Sequence, residues 1–209
     1  MMEYDLHVHS RFSQDSKNDP QEIVRVAQKM GLNGVGIVDH GSIEGGLLGM
    51  QCAGDGFIVV PGMEVNTPLG DILGLFLHSP IESEDPLWVI DAIRRQGGVV
   101  VLPHPYFGGF LGKPELLKKF DAIEVCSGRH QFDGDKTLEE SMKELEKVAA
   151  EHGLTPLGAS DAHVYGEIGV ASTVIPAETL EDLRAAILKG PTVVKHRGAG
   201  KFKRPMYNF

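Results

Sequence analysis

The chain has 209 residues, enough for one domain with a sizeable core, and no apolar run approaches the ~20 residues of a membrane span. Its formal net charge of −9 argues against tight, non-specific binding to a nucleic-acid backbone, which calls for a basic face. The first residues, MMEYDLHVHS, lack a basic stretch followed by an apolar one, and Cys52 and Cys126 are the only cysteines, so a reduced, cytoplasmic chain is expected.

Residues 4–9 read as the first strand. Asp19-Pro20-Gln21-Glu22 then offers an N-cap, a first-turn proline and an acidic third position. Ile23, Val26, Ala27 and Met30 follow at helical spacing, and Gly31 ends the helix. Strands are expected over residues 34–40, 57–65 and 72–77. Asp85-Pro86 opens a second helix, which stops at Gly97-Gly98. Strands at 99–104 and 122–126 come next, and Thr137 with Glu140 forms a capping box for a helix that runs to Gly153. Strands at 155–161 and 171–175 and a helix from Thr179 to Gly190-Pro191 complete the pattern.

Most of these strands are apolar on both faces, as in parallel sheets, and alternation of strand and helix means a parallel α/β fold. No repeat, low-complexity stretch or long linker interrupts residues 1–209, so one domain is expected. Residues 195–209 contain Lys195, Arg197, Lys201, Lys203 and Arg204 and no acid, so this stretch carries +5 and the rest −14. It reads either as a solvated basic tail or as an arm that meets an anionic substrate or a neighbouring subunit.

The unusual polar residues gather at the C-terminal ends of the expected strands. His7 and His9 end the first, Asp39-His40 the second, Glu64 the third, His78 the fourth, His104 the fifth, Glu124 and Cys126 the sixth, and Asp161 with His163 the seventh. In a closed parallel barrel those ends form one rim, where active sites are built. Alternation along a strand places Asp5, His7 and His9 on one face, and Asp161 with His163 on one face. Imidazoles and carboxylates packed together inside a barrel need partners, because leaving a buried polar group unpaired costs several kcal/mol, on the order of 2–7. A divalent cation satisfies them all. His130, His152 and His196 lie off the pattern; His152 reads as a helix C-terminal residue and the other two as surface residues.

Asp-Leu-His7-Val-His9-Ser10, Asp15, Val-Asp39-His40, Pro-Gly-Met-Glu64-Val, Pro-His104-Pro and Gly-Ala-Ser-Asp161-Ala-His163, in that order, resemble the motifs of the PHP family, the polymerase and histidinol phosphatase superfamily of metal-dependent phosphoesterases. The resemblance implies a distorted (β/α)7 TIM-like barrel with two or three divalent metal ions. Carried over by motif, His7, His9, Glu64 and Asp161 would hold the first. Glu64 would bridge to a second, completed by His104 and either His78 or Asp71; His78 is favoured, as it sits at the expected strand end. Asp15, His40 and His163 would hold a third, though the shorter carboxylate of Asp15 stands where some members use His, which leaves room for a two-metal centre.

Nitrogen and carboxylate ligands without thiolates suit Mn²⁺, Zn²⁺ or Fe²⁺. Paired cations about 3.5–4 Å apart can share a hydroxide and polarise a phosphoryl group. The resemblance thus implies hydrolysis of a phosphate mono- or diester of a small molecule or nucleotide, with Glu64, Asp161 and His40 at the reacting centre. Arg129 is expected on a rim loop, either clamping phosphate or in a surface ion pair. Asp5 and Asp39 are expected to orient ligand imidazoles. Tyr106, Phe107 and Phe110 either stack a base or, as preferred here, seal the barrel mouth; Cys126 reads as an inert buried thiol. Two competing readings are an amidohydrolase on a similar barrel, with Glu64 as its bridging ligand, and a non-catalytic metal-binding module.

Overall fold

The apolar runs form nine strands among the described residues of the computed structural model, 1–129 and 136–197. These are β1 (Met2–Val8), β2 (Gly34–Ile37), β3 (Ile58–Val65), β4 (Ile72–Leu75), β5 (Val99–Leu102), β6 (Ala122–Ser127), β7 (Thr155–Ala159), β8 (Ala171–Ile175) and β9 (Val193–His196). The helices are α1 (Pro20–Lys29), α2 (Glu44–Cys52), α3 (Pro86–Arg95), α4 (Pro114–Leu117), α5 (Leu138–His152) and α6 (Leu180–Lys189).

The expected caps hold their helices. Asp19 accepts from Gln21 N at 2.9 Å and Asp85 from Trp88 N at 2.8 Å, each followed by proline in the first turn. Thr137 and Glu140 form the reciprocal capping box of α5, and His152 ends that helix. Helix α2 escaped the sequence reading, because it has no side-chain cap and three of its nine residues are glycine. All three glycines stand where a Cβ would clash; one on Gly45, for example, would collide with Asp39 Oδ2 and Ser10 Oγ.

The strands join into one nearly closed, barrel-like sheet in the order β7-β6-β5-β4-β3-β2-β1-β8-β9. Strands β1, β2 and β3 run parallel, and so do β5, β6 and β7. The two groups are joined through β4, which is antiparallel to both neighbours. Closure comes from the segment after β7, where His9 N donates to Ala162 O at 2.9 Å and Ala162 N to His7 O at 3.3 Å. Strand β8 lies antiparallel to β1 on the other side, and its Thr173 Oγ1 bonds both N and O of Gly158 in β7 at 2.8 Å.

The reversal of β4 corrects the strand directions expected from sequence, and chain length explains it. Only six residues separate Val65 from Ile72, which pair across β3 and β4, whereas a parallel crossover needs about a dozen. The chain turns back through Thr67 and Gly70, whose backbones bond each other at 3.2 and 3.0 Å.

Inside the sheet, Tyr4, Leu6, Val60, Leu73, Leu75, Val99, Val101 and Leu157 form a buried cluster with Leu183 and Ile187 of α6. Outside, Ile23, Val24 and Ala27 of α1 pack on Val35, Ile37 and Val59, while Val89, Ile93 and Leu145 of α3 and α5 pack on Val100, Leu102 and Ile123. Each such fully buried side chain contributes about 1.5–3 kcal/mol.

The basic stretch from residue 195 is not wholly a solvated tail. Lys195 and His196 belong to β9, and Lys195 and Arg197 each bond a carboxylate oxygen of Glu3 at 2.9 Å. Lys201, Lys203 and Arg204 lie outside the described residues, as does His130. No helix among the described residues is long and apolar enough to cross a membrane.

Candidate metal centre

The polar strand ends meet at one end of the barrel. His9 follows β1, His40 follows β2, Glu64 lies near the end of β3, and His104 and Asp161 stand two residues beyond β5 and β7. Because β4 runs backwards, its start, not its end, belongs to this rim. Asp71 therefore joins the cluster, with Oδ2 3.9 Å from His104 Nε2. His78, expected at the rim, follows the opposite end of β4; it is exposed, and its backbone N–H donates to Gln96 Oε1 at 3.0 Å.

The donor atoms converge tightly. His7 Nε2 and His9 Nε2 are 3.0 Å apart, and Glu64 Oε2 lies 3.3 and 3.2 Å from them. Asp161 Oδ1 faces the same two nitrogens at 3.5 and 3.2 Å. The other oxygen of Glu64, Oε1, meets His104 Nε2 at 2.9 Å. On the far side, Asp15 Oδ2 lies 2.9 Å from His163 Nε2 and 3.8 Å from His40 Nε2. Three groups have donor atoms within 4.8 Å of one another and could each hold a metal ion: His7, His9 and Asp161; His7, Glu64 and His104; and His9, Asp15, His40 and His163.

The hydrogen bonds behind the imidazoles test whether this donor set suits cations. His7 Nδ1 faces Glu124 Oε1 at 2.7 Å, and His163 Nδ1 faces the carbonyl of Asp161 at 3.0 Å. Carboxylate and carbonyl oxygens only accept, so both Nδ1 atoms carry the proton. Ser13 donates to Asp39 Oδ1 at 2.9 Å, so its oxygen is left to accept from His9 Nδ1 at 3.1 Å. In all three imidazoles it is therefore the Nε2 lone pair that a cation at the centre would meet, the arrangement that outer hydrogen bonds give to metal-ligating histidines.

Electrostatics agree. Burial opposes every charge here, yet His7, His104 and His9 outweigh it and hold Glu64 well below the usual carboxylate range; His7 and His9 do the same for Asp161. In return the carboxylates raise His7 well above the ordinary imidazole value and His9 to about 9, against burial. Asp15 is held down to about 2, chiefly by its bond to His163. Without cations, protons on the imidazoles balance the carboxylates; divalent ions would take over that role.

Two of the three non-glycine residues with positive φ among those described are in this cluster, His104 at 25° and Asp161 at 54°. Such a conformation costs about 1–3 kcal/mol and persists only where the surrounding structure over-determines it.

Other expected residues are placed differently. Asp5 does not touch the imidazoles. Tyr4 and Leu6 alternate into the interior cluster, which turns Asp5 aside, and one extra residue in β1 between Asp5 and Val8 then brings His7 and His9 to the interior as well. Its carboxylate accepts backbone N–H groups of Ser160, Gly169 and His7 at 2.9, 2.8 and 3.5 Å, while burial pushes it up to about 6. Asp39 acts through Ser13 and also binds N and Oγ of Ser10 at 2.6 and 2.7 Å. Arg129 lies beside the centre with Nη1 3.6 Å from Glu167 Oε2, which receives the N–H of His163 at 2.8 Å. Tyr106 packs towards α5 and Phe110 is buried against Phe120, whereas Phe107 stays 52% exposed beside the His104 ring. Cys126 is buried, which pushes its thiol up to about 12. Sequence reasoning gave no role to Ser13 or Glu124; the strand-end position of Glu124 was the available signal.

Residues 5–99 match the family profile described as the PHP domain, and residues 140–192 match the one described as PHP-associated. The chain belongs to the PHP family. It is 34% identical over 165 residues to an uncharacterized protein of Methanocaldococcus jannaschii, covering 71% of this chain and 96% of that one. A two-domain protein from Bacteroides vulgatus, containing a predicted PHP-like metal-dependent phosphoesterase, superposes with a TM-score of 0.75 at 21% identity. That match covers 93% of this chain and 64% of the two-domain protein, so this PHP chain spans less than two thirds of it. An amidohydrolase from Chromobacterium violaceum has a TM-score of 0.65 at 19% identity, covering 78% of this chain and 88% of that one. At these identities the two structures share the PHP chain's fold, and fold does not fix reaction.

Proposed function

We propose that this chain is a metal-dependent phosphoesterase that hydrolyses a phosphate mono- or diester of a small molecule or nucleotide. The observation that carries the reading is the division of Glu64: Oε2 faces His7, His9 and His40, and Oε1 faces His104. A carboxylate shared in this way suits a pair of cations clamping one phosphoryl group. In this reading His7, His9, Glu64 and Asp161 hold one ion, Glu64, His104 and Asp71 a second, and Asp15, His40 and His163 a third. Imidazole and carboxylate donors without thiolate suit Mn²⁺, Zn²⁺ or Fe²⁺. Cations so held supply Lewis-acid polarisation of phosphoryl oxygens and a hydrolytic nucleophile at neutral pH.

The chain's own groups do the rest. Buried His7, His9, Glu64 and Asp161 form a floor that keeps bulk water out. His40 and Asp15, with side chains 29% and 50% exposed, mark the open side where a substrate enters. Arg129 stands at the rim, where its guanidinium can exchange Glu167 for a phosphoryl oxygen. Both cysteines are unpaired, which suits a reducing compartment.

The test is hydrolysis by Mn²⁺-loaded protein of a chromogenic phosphodiester beside the matching monoester. Turnover of either supports the reading, and the preference between them narrows the substrate. No turnover of either, with metal verified in the protein, would overturn it in favour of amidohydrolase chemistry or a binding module.

A further inference from the structure

Glu124 is 1% exposed, and its two oxygens are divided between the parts of the centre that the second cation would link. Oε1 lies 2.7 Å from His7 Nδ1, and Oε2 accepts the backbone N–H of His104 at 2.9 Å. His104 has φ 25°, a conformation that non-glycine residues rarely adopt, so its backbone needs to be held in place. An irregularity in β6 between Glu124 and Cys126 marks the strand at this point, as bulges often do beside functional sites.

We infer that Glu124 is a positioning residue that couples the two cation subsites sharing Glu64. With one oxygen it fixes the proton of His7 on Nδ1 and so aims the Nε2 lone pair inward. With the other it sets the pose of His104. The inference rests on the metal centre proposed above and adds a single residue on which both subsites depend. Gln has the same shape but only one accepting oxygen. If that oxygen serves His104 N, the amide NH₂ faces His7 Nδ1 and favours the tautomer whose Nε2 carries the proton. If it serves His7, the NH₂ opposes the His104 N–H.

The experiment titrates metal-free wild type, Glu124→Gln and Glu124→Asp with Mn²⁺, following free Mn²⁺ by electron paramagnetic resonance, with circular dichroism to check the fold. Wild type should bind at least two ions. Glu124→Asp, whose shorter side chain draws back from both contacts, should remain folded and weaken two binding steps by about 10–100-fold, the range found when an outer partner of a metal ligand is removed; Glu124→Gln, which keeps one acceptor, should weaken at least one step by as much. Weakening of one step only in Glu124→Asp, or a lowered Tm with unchanged affinities in either variant, would overturn the inference and leave the metal centre standing. Failure of wild type to hold two ions would overturn both. A measurement on Zn²⁺-loaded wild type is independent of whether the variants fold: ¹⁵N NMR should show a protected proton on His7 Nδ1, and a proton-free Nδ1 would overturn the inference.

Discussion

Asp71, just before β4, and His104, just beyond β5, meet with Oδ2 3.9 Å from Nε2 because these neighbouring strands run in opposite directions. Strand polarity thus decides which of two candidate ligands reaches the centre. Asp71→Asn should lower the affinity for one cation by at least about 10-fold, since a direct ligand contributes no less than an outer partner. His78→Ala should leave metal content unchanged. Plasma mass spectrometry of the two variants after gel filtration checks this. Full metal content in Asp71→Asn with loss in His78→Ala would reverse the assignment.

His9 and Asp161 face each other at 3.2 Å in the most buried part of the cluster. His9→Ala should bring phosphoester turnover to background while the far-ultraviolet spectrum of the barrel persists. Asp161 is a subtler case, because its φ of 54° lies where Asp and Asn are tolerated and Ala is not. Asp161→Asn should therefore abolish turnover while the barrel stays folded, whereas Asp161→Ala should lose a further amount of stability, about 1–3 kcal/mol, the cost of its backbone strain. Full activity in either His9→Ala or Asp161→Asn would sink the assignment.

The raised imidazoles give a pH dependence whose sign is fixed by linkage. In the metal-free protein Asp161 and Glu64 outweigh burial and hold His9 up to about 9, above its ordinary 6.5. That interaction contributes stability fully present below pH 6.5 and lost as pH rises through about 9. Cations displace those protons, so loaded protein should not share the loss, and cation affinity should rise over the same interval. Calorimetry should show the chelator-treated protein losing several degrees of Tm from pH 6.5 to 9, at roughly 2–4 °C per kcal/mol for a chain of this size. A flat profile for metal-free protein would contradict the proton–cation exchange.

Much of this was legible in the sequence, and the misses at the centre share one cause. The caps at Asp19, Asp85, Thr137 and Thr179 act within one helical turn, so local pattern is enough to place their helices. The strand-end positions of His7, His9, Glu64, His104 and Asp161 follow from alternating strand and helix. By contrast, the preference for His78 over Asp71 and the role expected of Asp5 differ from the geometry, because strand direction and register are properties of pairs of strands. The six-residue link after Val65 was the neglected signal for the first, while nothing within residues 4–9 announces the extra residue that separates Asp5 from the face of His7 and His9. Glu124 and Ser13 act on imidazoles from other strands and loops, contacts that only folding brings together.

Arg129 separates substrate binding from metal binding. Its Nη1 lies 3.6 Å from Glu167 Oε2 with the arginine side chain 37% exposed, so the pair contributes no more than about 0–1 kcal/mol to stability. Glu167 keeps its bonds to the N–H groups of His163 and Val164, at 2.8 and 3.2 Å, whether or not the guanidinium is present. Arg129→Ala should therefore leave Tm and metal content close to wild type. A guanidinium that meets phosphoryl oxygen makes charge-assisted hydrogen bonds worth about 1.5–3 kcal/mol, so KM for a phosphate ester should rise by about 10-fold or more. Steady-state kinetics beside metal analysis on the same sample reads both quantities. A KM equal to wild type would confine Arg129 to its ion pair with Glu167, and a loss of metal matching the loss of activity would assign it to the support of His163 instead.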